Sequence, residues 1–240
     1  MGDNMNKKLK LLYESYWNDL LTNSKDTKAA HPLLIMVDND YKEADIKVMI
    51  VGQETDKWHG LLEEKQQSVD FLMDDYYHYL YNINSEKNNL STRLTKKRKR
   101  TFWNRNNFKF YTDELNKIFP TKKVSFVWNN VSKIGKCACG KATTTIADFE
   151  EKNFEGVFQQ EVEILQPDII IFVSGDRKIP IKHYPIKKIK YEQVSEVKFE
   201  EYPNIIAFRT YHPNAKIAGG KKHLKNQIIQ LTKTKFPDVL

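Results

Sequence analysis

The sequence predicts an α/β fold: a three-layer α/β/α sandwich around a central, mainly parallel sheet of four strands. Three observations carry that expectation. Short runs such as IKVMIV (46–51) and DIIIFV (168–173) are apolar nearly throughout, the pattern of strands covered on both faces. Segments of helical periodicity alternate with them along the chain. Polar residues gather directly after the strands, as they do where loops meet at the carboxyl edge of an open sheet.

Each element follows in order. Residues 5–22 place Leu9, Leu12, Tyr16 and Leu20 on one stripe, an amphipathic helix that needs a core to lie on. The strand at 46–51 comes next. Val69, Leu72, Met73, Tyr76 and Leu80 give helical spacing across 61–81, and the polar stretch NINSEKNNLSTRLTKKRKR breaks it. A helix is expected over 103–119, stopped by Pro120, then a strand at 124–128 (VSFVW). Phe154, Val157, Phe158, Val162 and Leu165 mark one helix over 146–165, and Pro167 precedes the strand at 168–173. The Lys- and Glu-rich stretches 186–191 and 196–200 alternate as an exposed hairpin or insertion does. A fourth strand at 204–210 (NIIAFRT) and a helix over 220–233 close the series. With no internal repeat and no long flexible linker, one domain spanning 1–240 is expected.

Composition narrows the partners. Lys plus Arg outnumber Asp plus Glu by 39 to 31, a net charge of +8, which favours an anionic partner. Cys137 and Cys139 are too few for a disulfide framework and lack the companion ligands of a zinc site, so a reduced compartment is expected and no metal. The stretch MGDNMNKKLKLLYESYW lacks the apolar core of a signal peptide, and no run approaches a membrane span. The expectation is a soluble, cytoplasmic protein without a membrane partner. The phosphate-cradling patterns GxxxxGK[ST] and GxGxxG do not occur, which argues against a nucleotide-binding protein.

Four motifs close the expected strands: GQET at 52–55, FVWNN at 126–130, IIIFVSG at 169–175 and YHPNAKIAGG at 211–220. In this order they resemble the uracil-DNA glycosylase superfamily, over about residues 46–233. The resemblance implies a monofunctional DNA glycosylase fold and activity, working as a monomer on double- or single-stranded DNA without a cofactor. It places the water-activating carboxylate at Glu54, with Asp56 as the second candidate, and a base-carbonyl donor at His212. Asn129 would read the pyrimidine edge, with Asn130 able to exchange roles with it. An amide offers a donor and an acceptor in one plane, which suits a Watson–Crick edge. Gln53 would present an amide at the pocket floor or simply close its loop. Trp58, Phe71 and Trp128 are candidates for stacking on an extruded base.

The chemistry accounts for these residue types. Breaking an N-glycosidic bond builds cationic character on the sugar and negative charge on the base, so an anion and a hydrogen-bond donor are both needed. In the GQDPYHG form of the family a tyrosine after Asp-Pro excludes C5-substituted pyrimidines. Here Thr55-Asp56 replaces Pro-Tyr, and Trp-His-Gly comes two residues later, so a modified pyrimidine of the kind found in phage DNA is expected as substrate instead of, or besides, uracil. That links the chain to anti-phage members of the superfamily.

DNA would be gripped by two basic elements. RLTKKRKRTFWNR (93–105) carries seven basic residues, Lys97, Arg98 and Arg100 among them, with two aromatics interleaved. The segment around Asn214, Lys216, Ile217, Gly219 and Lys221 resembles the family's DNA-intercalating loop, with Ile217 as the apolar wedge. Ser174 joins the DNA-facing set. A catalytically idle nucleic-acid-binding member of the fold is the alternative.

Overall fold

A computed structural model describes residues 4–55, 57–64, 67–81, 108–137, 143–184, 194–217 and 220–236. Its sheet has strands β1 (Ile46–Gly52), β2 (Val124–Asn130), β3 (Ile169–Phe172), β4 (Ser195–Val197) and β5 (Ile206–Arg209), in spatial order β2-β1-β3-β5-β4. The pairs β1/β2, β1/β3 and β3/β5 are parallel, and β4 joins β5 antiparallel. Among the described residues the sheet therefore has five strands where four were expected: the Lys- and Glu-rich stretch near 196 contributes a short antiparallel edge strand. The four parallel strands all end on the same edge.

Helices cover both faces. Met49, Val51, Ile170, Phe172 and Ala207 face a core built with α1 (Asn4–Asn23), α3 (Val69–Leu80), α5 (Thr144–Phe154) and α6 (Val157–Leu165). Val48, Ile50, Ile169, Ile171 and Phe208 face the opposite core, with Tyr111 and Leu115 of α4 (Phe108–Ile118) and Ile228 and Ile229 of α7 (Lys222–Lys235). The short α2 (Asn39–Lys42) is capped by Asp38, whose carboxylate accepts the Tyr41 N–H at 2.7 Å. Alternate side chains of one strand thus bury in different layers, which is why the strands read as unbroken apolar runs.

Local chemistry sets the helix ends and corrects two expected boundaries. The helix expected over 61–81 begins at Val69, because the Ser68 hydroxyl accepts the Phe71 N–H at 3.1 Å and caps it there. The single helix expected over 146–165 is two, since Gly156 takes a left-handed conformation (φ 76°) between Phe154 and Val157. Of the helix expected at 103–119, residues 103–107 lie outside the described residues. No described helix is long and apolar enough to cross a membrane.

Among the described residues β2 is an edge strand, and α3 covers its outer backbone. The Tyr76 hydroxyl donates to Trp128 O at 2.7 Å and accepts from Trp128 N at 3.0 Å, while the Tyr81 hydroxyl donates to Phe126 O at 3.2 Å. Both ring oxygens lie in the core, where burial pushes their pKa values far up and keeps them protonated. Tyr76→Phe strips one buried donor and one buried acceptor of their partner. The expected loss is about 2 kcal/mol of unfolding free energy in urea titration, and a loss indistinguishable from zero would show that the edge is not held this way.

Candidate functional site

The loops after the parallel strands are joined by backbone and side-chain bonds. After β1, Gly52 O accepts Val131 N at 3.1 Å and Gln53 O accepts Ser132 N at 2.9 Å. The Gln53 side-chain amide reaches sideways and donates to Ser174 O, at the end of β3, at 2.9 Å. Gly175 follows with φ 64°, a conformation that favours glycine. A Cβ there would lie 3.6 Å from His212 N and 3.9 Å from Gln53 Nε2. Gln53, Ser174, Gly175 and His212, from three strand ends, are therefore contiguous.

Glu54 is largely covered and faces Arg177, whose guanidinium lies 3.5 Å from its carboxylate. Arg209, the last residue of β5, holds Arg177 in place by donating to Gly175 O and, at 2.8 Å, to Arg177 O. Burial lowers the Arg209 pKa, and the charge of Asp176 opposes that shift. On the His212 ring, Nδ1 accepts the Asn214 N–H at 3.1 Å. In the neutral ring the proton then sits on Nε2, making that nitrogen a donor. Ala215 N closes the same turn onto His212 O at 2.9 Å, and the Lys221 ammonium donates to Pro213 O, tying the start of α7 to it. Burial lowers the pKa of Lys221.

Asn129 requires a correction. Its side chain is fully buried, and both ends of the amide are used within the protein. Nδ2 donates to Glu161 at 2.9 Å, and Oδ1 accepts from Lys133 Nζ at 2.7 Å and Asn130 N at 2.8 Å. Glu161 also takes the Tyr13 hydroxyl at 2.6 Å and pairs with Lys133 at 2.7 Å. Asn129 is thus part of a buried Lys–Glu–Asn–Tyr network and has no amide edge left for a base. Burial lowers the Lys133 pKa, opposed by Glu161, and raises that of Tyr13.

Asn130 takes over the candidate role. Its Oδ1 accepts the Trp128 indole N–H at 3.0 Å, and its buried Nδ2 has no protein partner among the described residues. Thr55 Oγ1, Trp58 Nε1 and Ser174 Oγ are in the same condition on the same edge. Orphaned buried polar atoms are uncommon in folded proteins, so each of these four stands out along this edge.

The aromatic candidates divide. Trp58 is buried, edge-on to Trp128 at 5.9 Å and to His59 at 5.0 Å, so it is a wall and not an open stacking platform. Phe71 is 43% exposed and lies edge-on to His59 at 5.2 Å, where a planar ligand can reach it. His59 Nε2 lies 2.7 Å from the Asp75 carboxylate. Lys57 (φ 56°) and His59 (φ 54°) are both left-handed without being glycine. Such residues cost energy, and they concentrate where loops serve ligands.

Of the remaining candidates, Asn214 and Lys216 are exposed and Ile217 is half-buried, beside the basic start of α7. Asp56, Lys97, Arg98, Arg100 and Gly219 lie outside the described residues. Among the described residues no group of three or more His, Cys, Asp or Glu side chains is arranged to hold a metal ion.

No family model matches the chain. No curated protein matches it either.

Three contributors escaped the sequence reading. Arg177 is one basic residue among many in the sequence. Glu150, whose carboxylate accepts Lys133 N and Ile134 N beside the β1 loop, sits between Asp148 and Glu151 with nothing in the periodicity to set it apart. Glu161 did leave a signal: it falls between Phe158 and Leu165 on the apolar stripe of its helix, where a charge demands a buried partner.

Proposed function

We propose that the chain is a DNA glycosylase of the uracil-DNA glycosylase type. It hydrolyses the bond between deoxyribose and a pyrimidine, either uracil or a pyrimidine enlarged at C5, and leaves an abasic site. The observation that carries this reading is the meeting, on one sheet edge, of the Glu54–Arg177 pair with His212, whose Nδ1 accepts the Asn214 N–H, linked through Gln53 and Gly175. Glu54 would orient a water and balance positive charge on the sugar as the C1′–N bond breaks. The base departs with the bonding electrons, and His212 Nε2–H stabilises that charge. The water oxygen then bonds to C1′ and its proton ends on the base. Asn130 would read the base edge, and exposed Phe71 would stack on it. Lys216, Lys221 and Lys222 would meet phosphates.

A second reading, a nucleic-acid-binding protein without catalysis, is favoured by one observation, the saturated amide of Asn129. Oligonucleotides carrying uracil, hydroxymethylcytosine or glucosylated hydroxymethylcytosine, probed for abasic sites, separate the two. Strand cleavage after alkali on at least one substrate is expected. Binding to the whole panel without any product would leave the second reading in possession.

A further inference from the structure

The loop that carries Glu54 does not hold itself. Segment 131–136 braces it: Val131 N and Ser132 N donate to Gly52 O and Gln53 O, and Lys57 N donates to Lys136 O at 3.3 Å. Gly135 packs so tightly on Thr55 that an added Cβ would lie 2.1 Å from Thr55 O. The brace has its own anchor on α5. One carboxylate oxygen of Glu150 accepts Lys133 N at 2.5 Å and the other accepts Ile134 N at 3.4 Å.

We propose that Glu150 is a positioning residue: its carboxylate anchors the 131–136 brace and thereby fixes the loop that presents Glu54. The catalytic half of this inference rests on the glycosylase reading, whereas the anchoring half stands on the backbone bonds alone. An ionised carboxylate accepts both N–H groups with charge-assisted strength, and a protonated one does so only weakly. Two charged groups face it, Glu54 from the β1 loop and Lys133 from the brace, and Glu54 is itself paired with Arg177. On its own helix, Asp148 and Glu151 point to solvent.

Burial raises the Glu150 pKa to about 7. The two backbone N–H groups and the charge of Lys133 oppose that shift, and the charge of Glu54 adds to it. The brace is therefore anchored above pH 7 and loosens below it. For folding the sign runs the other way, because the native chain holds this proton more tightly than the unfolded one. The contribution of Glu150 to stability is present in acid and is lost as pH rises through about 7.

Two measurements test the anchor and a third tests its catalytic use. At pH 8, Glu150→Gln should exchange the amides of Val131 and Ser132 at least about tenfold faster than wild type, with Ile50 and Ile171 in the sheet unchanged. Equal exchange at Val131 and Ser132 would overturn the proposal. In wild type, which removes any doubt about folding of the variant, the Glu150 carboxyl resonance should titrate near pH 7 with the Ser132 amide following. Titration in the ordinary glutamate range, or a Ser132 amide that does not respond, is the contrary result. On the member of the uracil and modified-cytosine panel that wild type turns over fastest, kcat should climb through pH 7 and that limb should vanish in Glu150→Gln, with KM within about threefold. A limb that persists in the variant refutes the catalytic role. If wild type turns over no member of that panel at any pH, the glycosylase reading fails, while the exchange and titration results still decide the anchor.

Discussion

His212→Asn is expected to lower turnover on the best oligonucleotide substrate by about 10²–10³-fold, the usual consequence of removing one donor aimed at developing charge. The choice of Asn matters. The ring of His212 accepts the Asn214 N–H, so His212→Ala would disturb the turn as well as the chemistry. An Asn side-chain oxygen at the same position keeps an acceptor for that N–H, in the manner of an Asx turn, while it removes the Nε2–H. DNA affinity should stay within about threefold, because the phosphate contacts proposed above fall to lysines and not to this ring. Glu54→Gln should fall by a similar factor for a different reason: the amide keeps the shape but cannot balance a cationic sugar. Turnover that survives both substitutions, measured in single-turnover experiments with enzyme in excess, would remove these two residues from the site.

The largest effect on stability is expected at Lys133. Lys133→Ala leaves Glu161 fully buried beside Asn129 and Tyr13 without its cation. Breaking a buried pair from one side costs about 3–5 kcal/mol, more than the pair itself contributes, because the stranded charge has no solvent to turn to. The urea midpoint should drop with an unchanged slope. Lys133→Met combined with Glu161→Gln should recover at least half of the loss, since the charge is gone and the neutral amide can still accept the Tyr13 hydroxyl. A single variant within about 1 kcal/mol of wild type would mean that water reaches the network.

How far the sequence could be read depends on what kind of signal each feature leaves. The parallel strands were legible because burial on both faces writes itself as a continuous apolar run, as in IKVMIV and DIIIFV. Strand β4 was legible only as the alternation of an exposed hairpin or insertion near 196–200, because three residues at a sheet edge, with Glu196 turned outward, carry no continuous apolar run. The break between α5 and α6 hung on Gly156, whose left-handed conformation cannot be told from sequence when apolar periodicity continues across it. At the candidate site, strand-end position brought Gln53, Ser174 and His212 together correctly, since topology alone fixes which loops share an edge. It could not separate Asn129 from Asn130. Neighbours on a strand point to opposite sides, and only the partners, Glu161 and Lys133 for one and Trp128 for the other, decide which amide remains available. Glu150 was out of reach for the same reason, as its role is defined by two backbone N–H groups some 17 residues away in the chain.

The tyrosines that line the outer margin of β2 also bear on how copies of this chain meet. An exposed strand margin invites a second molecule to zip onto it, the first step toward domain exchange or fibrous aggregates. Along this margin the carbonyls of Phe126 and Trp128 and the amide of Trp128 are already taken by phenolic oxygens of the same chain. A recruited strand would first have to lift α3 away, so self-association by this route is closed for as long as that helix stays docked.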